Sequence, residues 1–360
     1  MNIQLVTPAP LRINNGNRIS ALRWAAILRK LGHQVRVTRS YQERRCDALI
    51  ALHARRSADS IRRFHELHPE RPLIVVLTGT DLYRDIRTDS KAQQSLQFAT
   101  RIVVLQSMAL RELSKDLRSK TRVIYQSAEA LEHTPPPTRS FRVCIIAHLR
   151  EEKDPLRAAL AVRHLPAPSR IQLTHIGLAL DEKLGARARI EAARNPRYRW
   201  IGQLSHAKTR ALLARCKVLC ITSKMEGSSN VLSEALAASV PVIASKIDGL
   251  VGTLGRRYAG YFPVGDTHQL RRLLLKAETD PRFYRQLHRH CARLRDLVQP
   301  QRELEAWRHL LVEVEKRDFN GGRLHESSAS PRATTDKPAS RARKLTQSNH
   351  RTRTSPRRIR

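Results

Sequence analysis

Short apolar runs recur along this chain with room between them for one amphipathic helix, and that rhythm restricts the fold more than any single motif. Residues 3–6 are followed by a helical pattern over about residues 17–31, then by Val35 and Val37 and by residues 48–52, 73–77, 102–105 and 123–125. Strands separated by helices pair in parallel, and a parallel sheet is covered by helices on both faces. The alternation stops at residues 129–140 (EALEHTPPPTRS), where three consecutive prolines can continue neither a helix nor a central strand. It resumes over residues 141–147, 171–176, 198–201, 218–222 and 242–245, and ends in three segments with apolar residues at helical spacing, 266–278, 281–297 and 301–316. The expected fold class is α/β. Two Rossmann-like doubly wound domains, residues 1–128 and 141–300, face each other across a cleft and are joined by a linker over 129–140, with a further helix over 301–319. Ligands of such sheets sit beyond the carboxyl ends of the strands, so the cleft is the place to look for a site.

Composition fits this architecture. Hydrophobic residues make up 41% of the chain but aromatics only 4%, and Ala, Leu, Val and Ile are what buried parallel strands use. The chain opens directly into a strand pattern without a basic leader and apolar core, and no run of about 18 apolar residues occurs. No signal peptide and no transmembrane segment are therefore expected, and the expected location is cytoplasmic. Cys46, Cys144, Cys216, Cys220 and Cys291 are odd in number and form no CxxC pair, which implies reduced thiols and no structural zinc.

A formal net charge of +35 raises nucleic acid as a partner. Its distribution argues against that. Residues 320–360 carry eleven Lys or Arg against two acids and almost no large apolar side chains, so they are expected to form a disordered basic tail, open to peripheral contacts with anionic surfaces. Elsewhere the excess is arginine spread along helical patterns, as in Arg55, Arg56, Arg62 and Arg63, rather than interleaved with stacking aromatics. No nucleic acid is expected.

The segment 223–245, SKMEGSSNVLSEALAASVPVIAS, carries the most chemistry. Glu226 and Glu234 are separated by seven residues, and a helix starting near Ser228 or Ser229 puts Gly227, Ser228, Ser229, Asn230 and Val231 where free backbone N–H groups favour a diphosphate. Glu226 is placed to accept from sugar hydroxyls, and Glu234 to clamp a ribose diol. Two glutamates at this spacing also occur on ordinary amphipathic helices, so the reading rests on context. The strand ending at Ala147 leads into His148-Leu149-Arg150-Glu151-Glu152-Lys153-Asp154-Pro155, where Lys153 and Arg150 suit a pyrophosphate leaving group. Alone, that segment is a charged loop.

Together, the loop with Lys153, the paired Glu226 and Glu234 and the strand opening at Pro241-Val242 resemble the nucleotide-sugar domain of GT-B glycosyltransferases of the group-4 type. Residues 14–37 (NNGNRISALRWAAILRKLGHQVRV) are similar to those enzymes' opening loop, helix and second strand. His148 stands where that family usually has Arg, Ser228-Ser229 follow Glu226-Gly227 where it has a second glycine, and Ser239 replaces a glycine before the Pro-Val strand. A narrower resemblance runs through LHARRSAD, LTGTDLYRD, VIYQSA, AHLREEKDP, NPRYRWIGQL and GYFPVGDT, which are similar to the selenosugar synthases of selenoneine biosynthesis. That resemblance implies a UDP-sugar donor, typically UDP-N-acetylglucosamine, selenophosphate as acceptor and a carbon–selenium bond in the product, without a metal or other cofactor. Lys153 and Glu226 would then be catalytic, and His148, Arg150 and Glu234 would hold the donor.

The acceptor is expected on the N-terminal domain. Gly16, Asn17 and Arg18 follow the first strand, with Gly16 permitting a tight turn and close ligand approach. His53 and Arg55, with Arg56, follow the third strand, and Thr78, Gly79, Thr80 and Asp81 follow the fourth. These loops offer cations and hydroxyls but no obvious nucleophile and base, which suits a small anion already ionised. Gly79 and Asp81 are equally open to simple turn chemistry, and His53 to a satisfied core position. The alternatives are a glycosyltransferase using a hydroxyl acceptor, glycan or lipid, and a nucleic-acid binder that would leave the paired glutamates unexplained.

Overall fold

The computed structural model describes residues 1–8, 15–132, 134 and 140–325, the last ten of these as backbone. Met1–Phe319 forms one compact unit. It contains two six-stranded sheets, both parallel throughout. The first joins β1 (Asn2–Val6), β2 (Gln34–Thr38), β3 (Ala48–Leu52), β4 (Leu73–Val76), β5 (Arg101–Val104) and β6 (Thr121–Val123) in the order β2-β1-β3-β4-β5-β6. The second joins β7 (Phe141–Ile146), β8 (Ile171–Ile176), β9 (Tyr198–Trp200), β10 (Val218–Ile221), β11 (Val242–Ser245) and β12 (Tyr261–Phe262) in the order β12-β11-β10-β7-β8-β9. Central strands such as β3, β4 and β10 are buried at every position, because helices cover both faces.

In each sheet the strand order reverses direction once, between β1 and β3 in the first and between β7 and β10 in the second. The crevices outside the carboxyl ends of those strand pairs are where doubly wound folds bind ligands. The loops after β1, β3, β7 and β10 all carry residues that the sequence singles out, as does the loop after β4.

The C-terminal helix, Pro300–His325, belongs to the first sheet rather than standing apart. Trp307, Leu310, Leu311 and Val314 join Ile3, Leu5 and Trp24 in one apolar cluster, with the rings of Trp24 and Trp307 5.4 Å apart between centroids. Glu303, 2% exposed, fixes the helix there. It accepts hydrogen bonds from Trp24 Nε1 at 2.6 Å, Arg23 Nε at 2.9 Å and Ser127 N at 3.0 Å. The helix runs from Pro300 to His325, while the compact unit ends at Phe319; residues 326–360 of the expected tail, like 133 and 135–139 of the expected linker, lie outside the described residues. The five cysteines are free and buried, as a reduced core requires. Among the described residues no helix is long and apolar enough to cross a membrane.

Candidate functional site

A cavity of about 920 Å³ lies between the carboxyl ends of the two sheets. From the second sheet it is lined by the loops after β7 and β10 and by the start of the Asn230–Ala237 helix. From the first it is lined by the start of the Gly16–Lys30 helix and the loops after β3 and β4.

The β10 strand delivers Ser223 and Glu226 to this cavity, and Ser229 caps the next helix by accepting from Leu232 N. Glu226, 8% exposed, pairs through Oε1 with Lys153 Nζ and accepts from Ser223 Oγ at 2.7 Å. Lys153 reaches it from the short turn after β7. Glu234 lies just over one turn into its helix, 8% exposed, with Oε1 2.8 Å from His206 Nε2. That contact raises the protonation tendency of His206 above its ordinary range. Neither Lys153 nor Glu234 stands open to solvent. Lys153 is held in an ion pair with Glu226 and Glu234 in a hydrogen bond with His206, as buried carboxylates require a donor beside them.

Arg150 also lines the cavity, and its buried Nε has no hydrogen-bond partner among the described residues. His148 lines it too, its Nδ1 accepting from Leu178 N at 3.0 Å. Gly227, Ser228 and Val231 are on the same wall. Asn230 instead reaches across to the first sheet's side, where its Oδ1 accepts from Arg23 Nη1 at 2.8 Å and its Nδ2 donates to Gly16 O at 3.3 Å.

The opposite wall holds Gly16, Asn17, Arg18, His53, Thr78, Gly79 and Thr80. Gly16 is the first residue of the helix capped by Asn15, not a turn, so its value is proximity: a Cβ there would meet Asn230 Nδ2 at 3.7 Å. Two expected residues are placed elsewhere. Arg55 turns away to Asp89, at 2.8 Å, and Asp85, and it is Arg56 that lines the cavity. Asp81 is fully buried and accepts from Thr78 N, Gly79 N and Ala54 N at 2.8–3.0 Å, which satisfies loop N–H groups that the sheet leaves unpaired. The two walls touch through backbone. A Cβ on Gly227 would lie 2.3 Å from Thr78 O, and one on Gly79, whose φ is +148°, would lie 2.9 Å from Gly227 N.

Sequence reasoning missed His206, Arg210 and Arg23, all on the cavity wall. His206 had a signal available. It follows Ser205, which caps a helix just after β9, the same strand-to-helix position that marks the other loops. Arg23 had none, since it lies within a helix and its partners are 207 and 280 residues away.

Residues 127–293 match the sequence model of the family described as Glycosyl transferases group 1. Similar solved structures include HepE from Anabaena in complex with UDP, at TM-score 0.68 and 14% identity over 87% of this chain and 100% of that one. HepE with UDP-glucose gives 0.67 and 14%, over 88% of this chain and 100% of that one. Sucrose-phosphate synthase from Thermosynechococcus elongatus gives 0.66 and 16%, over 90% and 98%. At these identities the likeness speaks for the fold. The match to the group 1 glycosyltransferases thus spans residues 127–293, set within a two-sheet GT-B fold.

Proposed function

We propose that the protein is a selenosugar synthase, which transfers a sugar, N-acetylglucosamine in the first instance, from its UDP-sugar to the selenium of selenophosphate. The donor side of this reading is supported by the matched domain and by relatives of the same fold crystallised with UDP and UDP-glucose. In it, Lys153, with Arg150 and His148, neutralises the diphosphate, the backbone of Gly227–Asn230 cradles it, Glu234 clamps the ribose and Glu226 orients the sugar. Among the described residues the hydrogen bonds of Glu226 run through Oε1, which leaves Oε2 for a sugar hydroxyl.

One observation carries the acceptor side. Of the cavity-lining residues that precede Glu129, none is acidic, and Arg18, Arg23, Lys30 and Arg56 are cationic. A sugar hydroxyl acceptor calls for carboxylates on that wall, whereas a selenophosphate anion calls for cations and hydroxyl donors. In the proposed reaction the selenium lone pair forms the bond to the anomeric carbon as the carbon–oxygen bond to UDP breaks, and UDP leaves with the electron pair. Water then cleaves the phosphorus–selenium bond, giving phosphate and the selenosugar.

The test is mass spectrometry of reactions with a panel of UDP-sugars, with and without selenophosphate. The reading expects a product with the selenium isotope pattern and the mass of one donor sugar. A selenium-free glycoside formed on a hydroxyl acceptor, in the same yield without selenophosphate, would replace it with the ordinary glycosyltransferase.

A further inference from the structure

We propose that Thr80 binds the acceptor, its hydroxyl donating to an oxygen of a small tetrahedral oxyanion at the Arg56 side of the cavity, and that His53 positions it to do so. The inference deepens the acceptor side of the function proposed above and rests on it.

His53 follows β3, is 2% exposed and has φ of +71°, a left-handed conformation that a non-glycine residue holds only when its surroundings impose it. Those surroundings also fix its tautomer. The Arg56 backbone N–H lies 3.2 Å from Nδ1, and a backbone N–H can only donate, so Nδ1 carries no proton. The remaining ring proton is then on Nε2, which lies 2.9 Å from Thr80 Oγ1 and donates to it. Burial keeps the ring neutral by lowering its protonation tendency, although Asp81 and Asp85 sit 3.9 Å away and pull the other way.

Thr80 consequently accepts from His53 and keeps its own proton to give. Among the described residues no acceptor takes it. Its neighbours are spent: the Thr78 hydroxyl and N–H and the Gly79 N–H all donate to Asp81. Thr80 is therefore the uncommitted hydroxyl donor of this loop, half-buried on the cavity wall that also holds Arg56. The same loop touches Gly227, the residue after Glu226, so an anion bound here lies beside the donor sugar. His53 has no lone pair free to take a proton from a hydroxyl acceptor, which again favours a nucleophile that arrives ionised.

The experiment titrates inorganic phosphate into the full chain with UDP saturating the donor side, for wild type, Thr80→Val, Thr80→Ser, His53→Leu and His53→Gln. Thr80→Val and His53→Leu are expected to weaken phosphate by about tenfold or more. Thr80→Ser, which keeps the hydroxyl, and His53→Gln, which keeps an amide donor, are expected to stay within about threefold of wild type. UDP affinity, measured in parallel, is expected to hold in all four and reports folding. Phosphate binding by Thr80→Val equal to wild type overturns the proposal, as does a wild-type protein that binds no phosphate. Vesicles bearing phosphatidic acid separate the sources of the anion: Thr80-dependent binding to vesicles but not to free phosphate overturns the small-anion assignment. Absence of selenosugar in the wild-type product assay overturns the proposed reaction instead, and the phosphate titration is judged separately.

Discussion

Lys153 and Glu226 meet from two loops 73 residues apart, and neither is understood without the other. Removing the lysine takes a cation from the proposed diphosphate and leaves an 8% exposed carboxylate without its partner. Lys153→Ala is expected to lower kcat/KM for the UDP-sugar by about tenfold to a hundredfold, the worth of a charge-assisted contact. It is also expected to cost measurable stability in urea, which a lysine free in solvent would not. A second residue-scale consequence concerns His206. Its hydrogen bond to Glu234 raises its pKa above 6.5, so the stabilisation from this pair is fully present below pH 6.5 and is lost as pH rises through the raised value. Imidazole NMR is expected to give a titration midpoint above 6.5 for His206, and Glu234→Gln to bring it down. The glutamates were legible from their spacing, and the lysine from its strand-end loop. Their pairing was not, because it is set by how the β7 and β10 loops converge at one crevice. Arg55 and Asp81 misled for a related reason: a strand-end position says that a residue is near the cleft, not which way its side chain turns.

At the scale of elements the strand rhythm was read with little error, since short apolar runs alternating with helical patterns leave few alternatives. The exceptions are at edges. The sixth strand is Thr121–Val123, shifted from residues 123–125, and the two-residue β12, Tyr261–Phe262, has no run to announce it. Ser239 closes the Asn230–Ala237 helix at φ +55°, which explains why a glycine is at home there and why serine leaves the loop's path intact at a small cost. The Gly79 and Gly227 loops have a more direct consequence, since they press backbone on backbone. Gly227→Ala places a methyl 2.3 Å from Thr78 O, and backbone cannot step aside as a side chain can. We expect turnover to fall by about tenfold to a hundredfold as the two walls separate. The thermal midpoint is expected to change little, because both loops lie at the cavity and outside the apolar clusters. Unchanged turnover would mean that this loop contact does not set the working distance between donor and acceptor.

The molecule as a whole is two crevices turned toward each other, tied by a helix that returns from the second sheet's end to the first sheet's core. Glu303 makes the tie specific, and Arg23 extends it through Asn230 to the start of the helix that holds Glu234. The two-sheet architecture was legible in the sequence, but this tie was not, because its partners are brought together only by the completed fold. The charge of +35 pointed toward nucleic acid when taken as a sum. In the folded chain four of those cations line the cavity's first-sheet wall, one of them, Arg23, in an ion pair with Glu303, and this is the wall where the proposed small anion would bind. The most direct test of that account is UDP release by the purified protein given UDP-N-acetylglucosamine, measured with selenophosphate, with a simple sugar acceptor and with neither. The account predicts release that requires selenophosphate and matches selenosugar formation mole for mole. Equal release with the sugar acceptor and no selenium would contradict it.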